Sequence, residues 1–285
     1  MIPPAWGDVW ICPLPNGHLQ AVGTDDAGRR QYLYHPQWRE QRDRVKHDRV
    51  REVGARLPHA RARVARYLAL DGMPRQRALA AAFRLLDLGM FRVGGEAYAD
   101  ANGSYGLATI EKRHVRVRGD SIVARYQAKS GQEQEVTVTD KAASAAISVL
   151  LRRRGGGDQL LAFKVGRRWH DVTSRDINEF VKEVVGGDVS AKDFRTWHGT
   201  VIAATSLASS APSDSKAGRR RALRRATEDV ANQLGNTPTV ARSAYIDPRV
   251  TERFEAGETI DVTSGVKSPR SRRRAESEVL RLLDR

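Results

Sequence analysis

The sequence has little of what several large classes of protein require. It contains a single cysteine, Cys12, so no disulfide can form within the chain and we expect a reducing compartment. No run of about 18 apolar residues is present, so we expect no segment to span a membrane. The first residues lack the basic and then apolar pattern of a signal peptide. These absences predict a cytoplasmic protein that does not have a membrane partner.

Sequence signals for cofactor binding are also missing. The seven histidines are scattered, and no His-x-x-x-His or Cys-x-x-Cys pair would place metal ligands on one face. No Gly-x-x-x-x-Gly-Lys-Ser/Thr loop is present to hold a nucleotide. The run Gly155-Gly156-Gly157 follows three arginines and no strand, which indicates a flexible connection. We therefore predict no metal, no nucleotide and no other cofactor.

Positive charge is what the chain has in excess. Its 285 residues include 49 Lys and Arg against 34 Asp and Glu, a formal net charge of +15. The hydrophobic fraction of 40% is enough for a folded core, and the length fits one large or two ordinary domains. A net charge this positive creates an electrostatic field that attracts polyanions, and nucleic acid is the commonest large polyanion. An anionic membrane is less favoured, because no clean basic amphipathic anchor stands out.

The N-terminal part of the chain has the pattern of strands and turns. Pro15-Asn16-Gly17 has the composition of a hairpin turn, and residues 1 to about 45 predict a β-rich lobe. Alternation along the third strand places Arg30, Tyr32 and Tyr34 on one face, which suits phosphates and sugar edges but also an ordinary half-buried strand. Residues 36–67 predict a charged helix. We place the domain boundary between 70 and 71, with a second, mainly helical domain over 71–285.

Three positions in the second domain place basic residues at the ends of predicted elements. Residues 75–91 predict an amphipathic helix that ends at Arg92-Val93-Gly94-Gly95, where glycines permit close approach of another backbone. Residues 113–139 predict a small antiparallel sheet with Lys129 at a hairpin tip. From about residue 140 the chain is mainly helical, and Ser190 with Asp193 predicts a capping box that puts Arg195 in the second turn of a helix.

The end of the domain carries one tyrosine in a distinctive position. Thr237-Pro238 predicts a helix start and Ile246-Asp247-Pro248 predicts its end, so Tyr245 lies in the last turn with Arg242 one turn before it. Asn236 lies in the preceding turn, after a basic helix over about 219–234. For any single tyrosine a place in the core is the ordinary interpretation. The basic tail around residues 267–274 either adds nonspecific DNA affinity or is simply solvated.

These pieces together resemble one family. The chain is similar to the small, poxvirus-like type IB DNA topoisomerases of viruses and bacteria over roughly residues 3–250. Family members usually carry further residues before the stretch that matches residues 2–6, so we expect a truncated N-terminal lobe. The matching segments run in the family's order: Gly28-Arg29-Arg30-Gln31-Tyr32-Leu33-Tyr34, Phe91-Arg92-Val93-Gly94, Tyr105-Gly106-Leu107-Ala108-Thr109-Ile110, Ala128-Lys129-Ser130-Gly131, Lys192-Asp193-Phe194-Arg195-Thr196-Trp197 and Gly235-Asn236-Thr237-Pro238 through Tyr245.

The resemblance implies a fold and an activity. The fold is α+β, with a small β-rich N-terminal DNA-clamping lobe and a larger, mainly α catalytic domain of the tyrosine recombinase and type IB topoisomerase type. The activity is relaxation of supercoiled double-stranded DNA without ATP or metal. One strand is cleaved, held through a 3′-phosphotyrosyl bond and religated. We expect a monomer in the cytoplasm, associated with the nucleoid if the source is bacterial.

The resemblance also implies a role for individual residues. Tyr245 is the nucleophile, and two arginines hold the non-bridging phosphate oxygens. Lys129 is the general acid that protonates the leaving 5′ oxygen. Viral relatives carry histidine where this chain has Asn236, so we expect a neutral hydrogen-bond donor there. The complete catalytic set is Tyr245, Arg92, Lys129, Arg195 and Asn236, and the expected DNA contacts are Arg30, Tyr32, Tyr34, Tyr98 and Lys192.

Two alternatives remain open at this point. A tyrosine recombinase or integrase would share the Arg, Lys, Arg and Tyr chemistry. Recombinases usually place histidine three residues before the second arginine, where this chain has Lys192, and they begin with a helical domain where this chain predicts strands. A noncatalytic DNA-binding protein would explain the charge but would leave the ordered residue set unexplained.

Overall fold

The protein is described here by a computed structural model that covers residues 2–95, 103–128, 131–210, 215–261 and 269–284. The chain divides into two compact units, Met1–Arg49 and Val50–Arg285. The division falls inside helix α1 (Pro36–Leu68) and not at the predicted boundary between 70 and 71. The second half of α1 buries Leu57 and Val64 in the core of the second unit, and this apolar packing accounts for the earlier boundary.

The first unit contains a three-stranded antiparallel sheet in the order β1-β2-β3. Its strands are β1 (Gly7–Ile11), β2 (Leu19–Thr24) and β3 (Arg30–Tyr34), and the central strand buries Ala21 and Val22. The rings of Tyr32 and Tyr34 stack with centroids 6.4 Å apart, and the Arg42 guanidinium of α1 lies 5.7 Å from the Tyr34 ring. The predicted strand is confirmed, and its two tyrosines share a face as the alternation requires.

The second unit is mainly helical, with two small antiparallel sheets among its described residues. The predicted α+β fold is confirmed. No helix within the described ranges is both long and apolar enough to cross a bilayer. The helices are α2 (Arg75–Gly89), α3 (Lys141–Arg152), α4 (Ser174–Val185), α5 (Ala191–Ala208), α6 (Lys216–Leu234), α7 (Pro238–Tyr245), α8 (Pro248–Glu255) and α9 (Pro269–Leu283). The sheets are β4 (Val115–Arg118), β5 (Ser121–Gln127) and β6 (Glu133–Thr139) in that order, and the hairpin β7 (Ala162–Val165) with β8 (Arg168–Asp171).

Helices α2 and α5 form the centre of the second unit. Helix α2 is buried on nearly all sides, and its Phe83 packs edge-to-face against Phe194 of α5 with ring centroids 5.2 Å apart. The next turn of α5 buries Trp197 completely. Burial of large aromatic rings is worth several kcal/mol and tolerates little displacement. The residues at the C-terminal end of α2 and in the second turn of α5 are therefore held by the core itself.

The structure corrects the predicted basic tail. Residues 269–283 form helix α9, which buries Ala275, Val279 and Leu282 against the core. Their spacing of four and three residues places them on one helix face, with the arginines largely elsewhere. The run of basic residues concealed this apolar face, so the interpretation as a tail was wrong for the residues of α9.

A buried network of charges joins α9 to α1, α2 and α5. Arg61 donates hydrogen bonds to Asp87 at 2.8 and 2.8 Å and to Glu276 at 2.6 and 2.7 Å. His198 Nε2 lies 3.1 Å from Asp87 Oδ1, and Arg272 Nη1 donates to the backbone oxygen of Asp87 at 3.1 Å. Burial opposes the charge on Asp87, but the hydrogen bonds from His198 and Arg61 hold its pKa well below the usual range. Asp87 is therefore a carboxylate at neutral pH.

We expect Glu276→Ala to lower the free energy of unfolding by about 3 kcal/mol, because it leaves the buried Arg61 with one carboxylate partner fewer. Glu278→Ala in the same helix is the matched control. Its partner Arg281 is 68% exposed, so the loss there should stay below about 1 kcal/mol. Urea denaturation at neutral pH measures both values, and equal losses would contradict a structural role for the network.

Candidate active site

Helix α7 carries Tyr245 at its last position. The helix begins at Pro238, and the Thr237 side chain accepts the Val240 N–H at 3.3 Å as an N-terminal cap. It ends because Ile246 adopts an extended conformation, with φ −108° and ψ 127°, shortly before Pro248. The predicted short helix is confirmed at both ends. The Tyr245 residue is 9% exposed.

Close packing against α5 fixes the end of α7. A Cβ atom on Gly199 would lie 2.7 Å from the Tyr245 backbone oxygen, so only glycine allows this approach. The Asp247 N–H donates to Thr200 Oγ1 at 3.1 Å and ties the chain after α7 to the same face of α5. The Tyr245 ring then lies beside Arg195, with 5.2 Å between the ring centroid and the guanidinium carbon.

Arg195 is held by backbone carbonyl groups at the ends of two helices. Its residue exposure is 5%, and its Nη1 and Nη2 atoms donate to the oxygens of Met90 and Leu234, the latter at 2.7 Å. Met90 follows α2 in a left-handed conformation with φ 53°, and Leu234 is the last residue of α6. The C-terminal end of a helix carries partial negative charge. Both contacts therefore stabilise the cation without a carboxylate.

Arg92 is held by the turn between α6 and α7. Its Nη2 donates to the Gly235 oxygen at 2.9 Å and to Asn236 Oδ1 at 2.6 Å. Arginine only donates hydrogen bonds, so this contact fixes the orientation of the amide. Asn236 Nδ2 then faces away from Arg92 and makes a long contact of 3.4 Å with the Leu234 oxygen. Sequence reasoning did not predict that Asn236 accepts a hydrogen bond from Arg92.

The backbone around Arg92 depends on a crossing of two glycines. The Leu107 N–H donates to the Arg92 oxygen at 2.8 Å, and the Ala108 N–H donates to the Val93 oxygen at 2.8 Å. A Cβ atom on Gly106 would lie 2.4 Å from the Cα atom of Gly94. The predicted close approach at the glycine pair after α2 is therefore made by backbone of the same chain.

The electrostatics of the site favour negative charge on Tyr245. Among the described residues no carboxylate pairs with Arg92 or Arg195. Burial, and then the charge of Arg92, lower the pKa of Arg195. Burial alone raises the pKa of Tyr245, but the charge and hydrogen bond of Arg195, with the charges of Arg92 and Lys192, bring its pKa below the ordinary value. The positive charges of Arg195, Arg92 and Lys192 thus stabilise the phenolate form of Tyr245.

A second tyrosine lies close to the same two arginines. Tyr126 of β5 is 8% exposed and stacks on Phe91 with ring centroids 5.8 Å apart. Burial raises the pKa of Tyr126 to about 12, against the smaller lowering effect of Arg195 and Arg92. Sequence reasoning missed this residue as a neighbour of the site. The alternation of buried residues along β5 is the one signal that assigns it to the inward face.

The other predicted site residues fall into three groups. Lys129 and Tyr98 lie outside the described residues. Lys192 is exposed in the first turn of α5, close enough to Tyr245 to lower its pKa. The predicted DNA contacts of β3 belong to the first unit and are described with it. Gln134 of β6, in the strand that follows the hairpin tip, packs against Gly235 in the turn before α7.

The arrangement suits nucleophilic attack by a phenol on an anionic phosphoryl group. Two guanidinium groups that have no carboxylate partner among the described residues attract phosphate oxygens, and Tyr245, whose pKa is lowered, lies beside Arg195. No cluster of three His, Cys, Asp or Glu side chains in the described parts of the chain has the arrangement of a metal site. Fold and site together define a class of basic, mainly helical proteins in which one tyrosine and two arginines form a site for a phosphodiester.

Comparison with known proteins assigns the chain to a family in this class. The family model described as "Eukaryotic DNA topoisomerase I, catalytic core" matches residues 35–260, and that described as "Bacterial DNA topoisomerase IB, N-terminal domain" matches residues 1–25. DNA topoisomerase 1B of Acanthamoeba polyphaga mimivirus is 28% identical over 257 residues, which are 86% of this chain and 75% of that protein. DNA topoisomerase 1B of Vaccinia virus (strain Copenhagen) is 24% identical over 252 residues, 85% of this chain and 74% of that protein.

The first family match covers well over half of the chain. The chain therefore belongs to the type IB DNA topoisomerase family, and it is an enzyme of that class. The resemblance predicted from the sequence is confirmed. Helix α9 lies beyond the matched residues.

We expect Gly106→Ala to reduce the rate of plasmid relaxation about 100-fold, because a Cβ atom there pushes apart the two backbones that position Arg92. Gly95→Ala is the matched control, since a Cβ atom on Gly95 would meet nothing within 4 Å. It should change the rate by no more than about twofold. Thermal melting verifies that both variants are folded. A similar rate for both folded variants would contradict the role of the glycine crossing.

Proposed function

We propose that this chain relaxes supercoiled double-stranded DNA by cutting one strand with Tyr245 and rejoining it. The observation that carries the proposal is the contact of 5.2 Å between the Tyr245 ring and the Arg195 guanidinium, in a site where no described carboxylate pairs with Arg195. Relatives named DNA topoisomerase 1B give further support. We also propose that the chain acts as a monomer.

In this proposal the two arginines bind the non-bridging oxygens of the scissile phosphate. Attack adds negative charge to these oxygens, and preorganised cations stabilise that charge as it develops. Arg92 donates through Nη2 to Gly235 and Asn236, and its Nε and Nη1 have no partner among the described residues. These two groups lie on different edges of the guanidinium plane, so each can donate a hydrogen bond to a phosphate oxygen.

Asn236 has two functions in the proposal. Its Oδ1 holds Arg92, and its Nδ2 is the neutral donor for a phosphate oxygen. The contact of 3.4 Å from Nδ2 to the Leu234 oxygen is long for a hydrogen bond, so a stronger acceptor can replace it. An amide does not titrate near neutral pH, so this contribution does not depend on a proton as that of a histidine would.

The chemical step is a reversible transfer of the scissile phosphoryl group from O5′ to the Tyr245 oxygen. Tyr245 attacks phosphorus as the phenolate, after its proton has passed to water, a 3′-phosphotyrosyl ester forms, and the bond between phosphorus and O5′ breaks. Lys129 donates a proton to O5′ as it leaves. The freed 5′ hydroxyl later returns this proton to Lys129 and attacks the ester, which releases Tyr245 as the phenolate. The aryl ester conserves the energy of the broken bond, so neither ATP nor a metal ion enters the balance, and the cut duplex can rotate before it is rejoined.

We expect the wild-type chain to relax supercoiled plasmid in EDTA without ATP, and Tyr245→Phe to abolish relaxation while it retains DNA binding. Tyr126→Phe is the matched control, because it removes the other phenol near the same arginines. A covalent protein–DNA adduct, seen on a denaturing gel, should persist in Tyr126→Phe and disappear in Tyr245→Phe. An adduct in Tyr245→Phe would refute the nucleophile, and recombination between defined sites without relaxation would indicate a recombinase.

Lys129→Ala tests the general acid directly. We expect it to slow cleavage of an ordinary phosphodiester by about 10²- to 10⁴-fold, because the 5′ alkoxide is a poor leaving group. On a substrate with sulfur at the 5′-bridging position the loss should be far smaller, since a thiolate leaves without a proton. Single-turnover cleavage on the two substrates gives the comparison. Equal slowing on both would exclude Lys129 from the acid role.

A further inference from the structure

A basic groove lies between α6, α7 and α8, next to the site but distinct from it. Its volume is about 720 Å³, and Leu223 and Pro238 contribute apolar surface to it. A single carboxylate, Glu255, is among the lining residues. The cations that line the groove are Lys216, Arg219, Arg220, Arg224 and Arg242. We call this surface the α6–α8 groove.

The cations of the α6–α8 groove are poorly neutralised by the protein. Arg224 shares a surface pair with Glu228 at 3.7 Å. In the parts of the chain that are described, Lys216, Arg219, Arg220 and Arg242 have no carboxylate partner. Like charges gathered along a concave surface repel one another and concentrate a positive potential. An anionic ligand would relieve this repulsion.

The spacing of the cations suits a polymer better than a small anion. Lys216, Arg220 and Arg224 recur every four residues along α6, which is about 6 Å per step along the helix axis. Three cations therefore form a row about 12 Å long on one helix face. A single phosphate ion can contact only part of such a row. A nucleic-acid strand presents one phosphate after another along its length.

The groove shares its helices with the candidate active site. Arg242 precedes Tyr245 by three residues in α7, about 4.5 Å along the helix axis. The last residue of α6 accepts a hydrogen bond from Arg195, and the next residue accepts one from Arg92. A ligand that contacts Arg242 in the groove is therefore within about one helical turn of Tyr245 along α7.

We propose that the α6–α8 groove is a second phosphate-binding site, which holds successive backbone phosphates of the duplex on which Tyr245 acts. The identity of the polyanion rests on the proposed function. Such contacts add affinity that is independent of sequence and sensitive to salt. Arginine side chains suit this role, because each guanidinium can donate two hydrogen bonds to one phosphate. Free phosphate offers the same chemistry, and the test below separates the two sources.

The test compares two adjacent arginines of α6 in the Tyr245→Phe background, where binding is measured without cleavage. Arg220 lines the groove, whereas Arg221 is exposed on the same helix outside it. Fluorescence anisotropy gives the binding constant for a short duplex at several salt concentrations. Arg220→Gln should reduce the slope of log affinity against log salt by about 0.9, and Arg221→Gln should leave it nearly unchanged. The combined Arg219→Gln, Arg220→Gln and Arg242→Gln variant should reduce it by about 2.7.

Three outcomes would overturn the proposal. Equal changes for Arg220→Gln and Arg221→Gln would mean a diffuse positive surface and no defined groove. An unchanged slope in the triple variant would mean no contact with the duplex. Inorganic phosphate that raises the melting temperature of the parent protein but not of the triple variant, with no change in slope, would identify a site for free anions.

The binding test of the groove can fail or succeed independently of the cleavage proposal. Adduct formation by the chain with Tyr245 intact, at low salt, reports the chemistry of Tyr245 alone. If the adduct forms but the salt slopes are unchanged, the groove proposal is refuted and the cleavage proposal stands. If the salt slopes change but no adduct forms, the groove proposal stands and the cleavage proposal is refuted.

Discussion

Arg195 and Arg92 donate to the adjacent carbonyl oxygens of Leu234 and Gly235, and neither arginine has a carboxylate partner among the described residues. Backbone carbonyl groups at the C-terminal ends of α2 and α6, with one amide oxygen, accept their hydrogen bonds. A carboxylate would hold them as firmly but would cancel their charge. Carbonyl dipoles hold a cation and leave its net charge intact. The site therefore keeps a positive potential at a position that is largely removed from water.

The same elements carry the core and the site, so stability and chemistry are linked. Asp87 lies in α2 five residues before Arg92, and His198 lies in α5 three residues after Arg195. Both join the buried network with Arg61 and Glu276. Displacement of either helix would strain buried ion pairs that are costly to break. The geometry around Tyr245 is thus set by the packing of α2 and α5 as well as by its immediate contacts.

Local signals in the sequence predicted local structure well. The proline at the start of α7 and the capping box before Arg195 each act within a few residues, and the structure confirms them. The predicted glycine stop after residue 91 was wrong, because α2 ends at Gly89 and Met90 adopts the left-handed conformation of its cap. Contacts between distant segments were not predictable from pattern. Arg61 and Glu276 are 215 positions apart, and nothing near either residue indicates the other. The acceptor role of Asn236 and the position of Tyr126 likewise depend on tertiary packing. The catalytic set itself came from the resemblance, not from periodicity.

Helix α9 has a consequence for the order in which the protein matures. Every residue assigned to the site precedes α9 in the chain, so a nascent polypeptide contains Tyr245 before it contains Glu276. Until α9 docks, Arg61 lacks its second carboxylate partner, and the core lacks Val279 and Leu282. A nascent chain therefore carries Tyr245 and both arginines before it carries the helix that completes the packing around Arg61.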